Sequence, residues 1–149
     1  MKVRTALLAD PLTTVPAATI EELLPRMVAD RDGTAAVVSA DGEFLGVIGV
    51  TDVLAKIVPL YVDLKESLAE VVHASYLEDH LDRVKGLKVS DLMVSPVATV
   101  QLEDSLFQAA AKIVEHGRRV LPALDGDRFV SFISRSSLLA AVLEGRKSA

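Results

Sequence analysis

The 149-residue chain contains no cysteine and no tryptophan, and only two tyrosines and four phenylalanines. Without a thiol there is no disulfide, no thiolate nucleophile and no Cys-ligated zinc or iron–sulfur site. A formal net charge of −5 with so few aromatic rings argues against a nucleic-acid partner, which is held by cationic surface and often by base stacking. Long apolar runs are missing as well. The longest uncharged stretch, Leu92 to Leu102, has 11 residues, short of the roughly 18 at which a membrane span comes into question. Asp10 and Pro11 interrupt the N-terminal MKVRTALLADPLTTV before it forms the apolar stretch of a secretory signal, so a cytoplasmic protein with no membrane insertion is expected. The chain has no Ser/His/Asp order, Gly-rich phosphate loop or His-Glu-x-x-His, and no enzyme is expected. What is present is half hydrophobic and a quarter charged, the composition of a globular fold with a real core.

The chain repeats itself once, at an offset of 85 or 86. Leu7, Leu8 and Pro11 recur as Leu92, Met93 and Pro96, and the extended runs that follow end in Val15 and Val100. Thr19 to Glu22 and Ser105 to Gln108 both have the capping-box form, which predicts two equivalent helices. Their apolar faces agree, with Ile20, Leu23, Leu24 and Met27 against Leu106, Ala109, Ala110 and Ile113. Pro25, six positions past the first cap, predicts a kink or an irregular first half. Each helix is followed by an apolar run, a turn rich in Asp and Gly, and a second apolar run, which together read as a hairpin. A short closing helix then carries Val53, Leu54, Ile57 and Val58 in one half and Leu138, Leu139, Val142 and Leu143 in the other.

The expected fold is therefore α/β (α+β): two β-α-β-β-α repeats, residues 1–58 and 89–149. They should pack as a pseudo-twofold pair, because a unit of about 55 residues buries only about 60% of its unfolded surface. Residues 59–88 have no counterpart. There Leu64, Leu68, Val71, Val72, Leu81 and Val84 fall near a helical period, which predicts an inserted amphipathic helical linker. Its spare apolar stripe, added to the helical faces of the repeats, predicts a homodimer. Glu70, His73 and His80 on the insert raise a metal reading, but a bundle site built on Glu-x-x-His needs a second copy on a facing helix, which the sequence lacks.

Taken in order and twice over, LLADPLTTV and DLMVSPVATV, GTAAVVSADGEFLGVIGVTDVLAKI and HGRRVLPALDGDRFVSFISRSSLLAAV resemble the cystathionine-β-synthase (CBS) domain family, as a tandem pair or Bateman module. The resemblance implies repeats paired through their sheets, two clefts in which adenine nucleotides commonly bind, and a regulatory role. It also implies a nucleotide signature: Gly, two apolar residues, Thr or Ser, two residues, then Asp. The hydroxyl lies near phosphate, and the carboxylate accepts hydrogen bonds from the ribose diol. The first half maps as Gly46 to Asp52, where Asp52 is kept, Thr51 precedes it, and Gly49 stands at the hydroxyl position. The second maps as Ser131 to Ser137, where Ser134 keeps the hydroxyl and Ser137 replaces the Asp. A cation before the LPVVD-like strand reaches phosphate in this family. Arg118 and Arg119 resemble it, whereas Gly33, Thr34 and Ala35 offer none.

On this resemblance the cleft of Asp52 suits ribose but is poor for phosphate, and the cleft of Ser134 and Arg119 suits phosphate but is weak for ribose. Backbone groups of the family's opening strand hold the base, which implies Thr13, Thr14, Ala98 and Thr99 as lining residues. Plainer readings stand beside these. Asp52 and Thr51 are good helix caps, the arginine pair fits a solvated turn, and Ser134 and Ser137 fit polar strand ends. The expected function is a module that senses AMP, ADP, ATP or an S-adenosyl compound and acts on an effector protein of unknown identity. The alternative is a ligand-free dimerisation or protein-interaction module of the same fold.

Overall fold

The computed structural model describes residues 1–58 and 76–148. In chain order its elements are β1 (Thr13–Thr14), α1 (Ile20–Ala29), β2 (Thr34–Val38), β3 (Phe44–Gly49), α2 (Val50–Ile57), α3 (Tyr76–Val84), α4 (Val89–Leu92), β4 (Val100–Gln101), α5 (Leu106–His116), β5 (Val120–Asp125), β6 (Arg128–Ser134) and α6 (Arg135–Ser148). A single 3-10 turn, Val3–Ala6, precedes them. The predicted caps start both long helices. Thr19 Oγ1 accepts the Glu22 N–H at 3.3 Å, and Ser105 and Gln108 complete a reciprocal box at 3.1 and 2.8 Å. No kink or irregular half is found: α1 runs through Pro25 unbroken. The bond that Pro25 cannot make would go to the Glu21 carbonyl, and both residues lie on the exposed face, where solvent can satisfy it.

Each repeat forms a three-stranded sheet in which the middle strand is parallel to the first and antiparallel to the third. Both hairpins carry an irregularity at the same place, after Val37 and after Ala123. Register refines the repeat. Thr14 pairs with Val37 and Val100 with Ala123, so the counterpart of Val100 is Thr14 rather than Val15. Burial agrees, since Thr14 and Val100 are 7% and 1% exposed and Val15 is 43% exposed. The second hairpin turn is one residue shorter, so the offset is 86 up to the turn and 85 beyond it.

Alternation along the middle strands serves two layers. Ala35 and Val37 face α1 and α2, packed with Ile20, Leu23, Met27, Ile48 and Val53. Ala36, between them, faces the other repeat and packs with Val47, Val120 and Phe132, flanked by Phe44 and Phe129. The ring of Phe129 meets Phe132 edge-on at 5.1 Å and stacks with Phe44 at 6.2 Å. The two sheets thus close face to face across a third core.

The leading segments are exchanged. Val3 and Ala6 are buried in the core of the second repeat with Leu106, Ala109 and Ile133, tied there by Val3 N–H to Asp104 O (2.9 Å) and Leu8 N–H to Phe132 O (2.8 Å). Val89 and Leu92 are buried in the core of the first, tied by Val89 N–H to Ala18 O (2.8 Å) and Val94 N–H to Val47 O (2.7 Å). Each repeat therefore contributes its opening turn to the other. Within the insert, α3 lies on the first repeat, with Val84 buried and Leu81 packed against the same core. Those two side chains are used within the chain, which narrows the stripe expected to meet a second copy. Leu64, Leu68, Glu70, Val71, Val72 and His73 lie outside the described residues.

Candidate functional site

In each repeat the last strand passes into the closing helix through a turn held by its own polar groups. Asp52 Oδ2 accepts the Gly49 N–H at 2.8 Å, half of a capping box whose other half a glycine cannot supply. In the second repeat Ser137 Oγ accepts the Ser134 N–H and Ser134 Oγ accepts the Ser137 N–H, both at 2.9 Å. The Ser137 hydroxyl also donates to Ser134 O at 3.2 Å, whereas the Ser134 hydroxyl proton has no acceptor among the described bonds. Two further turns lead into the central strands. Asp30 Oδ2 accepts the N–H groups of Asp32 and Gly33 at 3.1 and 3.0 Å, which fixes Arg31 and Asp32 at the entry to β2. Gly117, at φ +61°, ends α5 in the left-handed conformation that glycine tolerates and delivers Arg118 and Arg119 to β5.

These four turns meet in pairs across the two repeats. The first cleft, about 320 Å³, lies between Gly49, Val50 and Thr51 of the first repeat and Arg118, Arg119 and Val120 of the second. The second, about 350 Å³, lies between Ser134 to Ser137 of the second repeat and Arg31 and Asp32 of the first, with Leu8 and Arg119 also on its wall. Both volumes fall in the range of small-molecule sites. Arg31, Arg118, Arg119 and Arg135 have no ion-pair or hydrogen-bond partner among the described residues. Some of the other basic side chains are engaged, Arg4 with Glu103, Arg26 with Thr13 O at 3.2 Å and Lys112 with Thr99 O at 2.6 Å, whereas Lys56, Lys88 and Arg128 also have no side-chain partner among the described residues. An acidic chain thus presents two clefts in which cations outnumber the single carboxylate, Asp32, on their walls. Guanidinium groups without counter-ions suit phosphate or carboxylate ligands.

Residues 3–59 and 89–144 match the family model of the CBS domain. The chain belongs to the CBS domain family. As a CBS pair it is similar to the CBS domain of a CBS domain-containing membrane protein from Sphaerobacter thermophilus, at 25% identity and a TM-score of 0.72 over 95% of this chain and 87% of that one. It is also similar to the CBS-pair protein CBSX2 from Arabidopsis thaliana, at 20% identity and a TM-score of 0.79 over 99% and 98%. A structure of CBSX2 in complex with AMP matches at 20% identity and a TM-score of 0.73 over 97% and 98%. Among curated proteins nothing matches this chain.

Set against the CBS signature, Gly49 and Thr51 line the first cleft and Ser134 and Ser137 the second. Asp52 is half-buried beside the first cleft but off its wall, with one carboxylate oxygen engaged in the cap. The expectation that the Asp52 cleft lacks a cation does not hold, because Arg118 and Arg119 arrive from the other CBS repeat. Arg119 also lines the Ser134 cleft and is joined there by Arg31 and Arg135, which sequence reasoning passed over. Arg31 was within reach of the repeat: it stands 86 positions before Gly117, in the turn equivalent to the one that bears Arg118. Thr13, Thr14, Ala98 and Thr99 line neither cleft. The carbonyls of Thr13 and Thr99 are capped by Arg26 and Lys112, Thr14 is buried, and Ala98 packs on the second core. No group of three or more His, Asp or Glu fit for a metal exists among the described residues, and none of the described helices is long and apolar enough to cross a membrane.

Proposed function

We propose that the chain is a regulatory module that binds an adenine nucleotide, AMP, ADP or ATP, or an S-adenosyl compound, in the clefts between its two CBS repeats and passes occupancy to an effector protein, with no catalytic step of its own. The observation that carries this reading is the crossing of unpaired arginines from each repeat into the other's strand-to-helix turn, beside Thr51 in one cleft and Ser134 in the other. Guanidinium and hydroxyl together match a phosphate, and the complex of CBSX2 with AMP is an adenine-nucleotide precedent on this fold. Thermal shift with AMP, ADP, ATP, adenosine and S-adenosylmethionine tests it. A ligand at 100 times its Kd should raise Tm by roughly 5–10 °C for a chain of this size. No shift with any of them would remove the reading.

The partner surface in this reading is a second copy. Leu54 of α2 and its counterpart Leu139 of α6 are 52 and 60% exposed, and Leu143, one turn further along α6, is 59% exposed, so an apolar face recurs on both closing helices. Light scattering should report a homodimer, and a monomer throughout the micromolar range would remove it. A ligand-free dimerisation module is favoured by one observation: Asp52 Oδ2 and the Ser137 hydroxyl are already engaged in helix caps. A dimer without any nucleotide shift would select that reading.

A further inference from the structure

Arg119 lines both clefts. Resting on the nucleotide reading above, we propose that this shared guanidinium couples them, so that a phosphorylated ligand in one cleft weakens the binding of a second in the other. Arg119 is exposed at the entry to β5, in the turn that Gly117 sets between the two strand-to-helix junctions. It has no partner among the described residues that would commit it to one side. One guanidinium presents its bidentate edge to a single phosphate at a time. Two phosphates drawn to the same side chain would also lie within the Debye length of about 8 Å, where salt screens their repulsion poorly.

The clefts are unequal without it. The Ser134 cleft keeps Arg31 and Arg135, whereas the Thr51 cleft keeps only Arg118. Asp32 lines both and opposes an anion in either, so it does not remove the inequality. The first ligand therefore takes the Ser134 cleft and Arg119 with it. A second then meets one arginine and a nearby negative charge. The coupling is carried by charge, so an uncharged nucleoside should not show it.

Calorimetry on the intact chain tests this with AMP and with adenosine as probes. AMP should bind in two steps at least tenfold apart, or in one measurable step per chain. Ala140→Trp, an exposed substitution on the wall of the Ser134 cleft alone, closes that cleft and leaves Arg119 to the other. AMP should then bind the remaining cleft about tenfold more tightly than in the weak step of the unmodified chain. Adding Arg119→Ala should return it to the weak value. Ser136→Trp, exposed on the same wall, replaces Ala140→Trp if that variant fails to fold. Two equal AMP steps in the unmodified chain, or a remaining cleft no tighter after closure, would overturn the coupling while leaving nucleotide binding intact. No AMP heat in the unmodified chain would overturn both.

Discussion

Gly46 and Ser131 hold equivalent places in the two repeats, and each meets the leading segment of the other repeat. A Cβ on Gly46 would lie 2.5 Å from the Val94 carbonyl oxygen, a contact that backbone cannot relieve cheaply. At Ser131 the same approach is wider, and its hydroxyl donates to the Leu8 carbonyl at 2.6 Å. Gly46→Ala should therefore cost about 1–3 kcal/mol, as overpacking does, and Ser131→Ala about 1 kcal/mol for one lost hydrogen bond; urea midpoints check both. Asp52 divides in the same way between two roles. Asp52→Ala removes the acceptor of the Gly49 N–H and should cost about 1 kcal/mol, whereas Asp52→Asn retains an acceptor there and should cost less. Ribose recognition by the free carboxylate oxygen should show as a ~10-fold or greater loss of AMP affinity in the Thr51 cleft, measured by calorimetry with both variants placed in the Ala140→Trp chain, where that cleft alone is open. An Asp52→Asn variant with undiminished affinity would leave this residue as a helix cap. The position of the signature followed from the family resemblance, and Gly49 to Asp52 and Ser134 to Ser137 do form equivalent turns. Its use as a cap was one of the two readings left open, because a carboxylate three residues past a strand end serves either purpose.

At the scale of elements, the caps, hairpins and apolar faces were legible because each is a local pattern: a hydroxyl before a helical period, or Asp and Gly between two apolar runs. Two things were not. The opening strands are two residues long, too short for their own pattern to fix register, and the match of Val15 with Val100 was one residue out. The exchange of leading segments was hidden because contiguity in the chain suggests packing within the repeat, and nothing about Val3 or Val89 says which core it enters. The same exchange hid the crossing of Arg118 and Arg119 into the cleft of the first repeat. It has a measurable consequence. Val3 belongs by sequence to the first repeat but is fully buried in the second. Val3→Ala should cost about 2 kcal/mol, between the usual losses for Ile→Val and Leu→Ala. Hydrogen exchange should then show the protection of α5 falling more than that of α1. The opposite order would mean that the leading segment stabilises its own repeat.

For the whole molecule, three cores are tied into one by these exchanges. The first repeat contains Val84, Val89 and Leu92, the second contains Val3 and Ala6, and the sheets share Ala36, Val47, Val120 and Phe132. Cutting the chain between the repeats would remove from each core side chains that are almost fully buried in the intact protein, and would bare the face carrying Phe44, Phe129 and Phe132. A unit of about 55 residues has little stability to lose, since it buries only about 60% of its unfolded surface at best. The intact chain should therefore unfold as one cooperative unit, with a calorimetric enthalpy equal to the van't Hoff enthalpy within error and no shoulder on the transition. Residues 1–58 expressed alone should lack the fixed side-chain chemical shifts of a packed core, for want of Val84, Val89 and Leu92. Adding residues 76–149 in trans should restore them, since the exchanged turns need only be present and not covalently continuous. Two resolved transitions in the intact chain, or dispersed spectra from residues 1–58 alone, would show that each repeat is sufficient for its own fold.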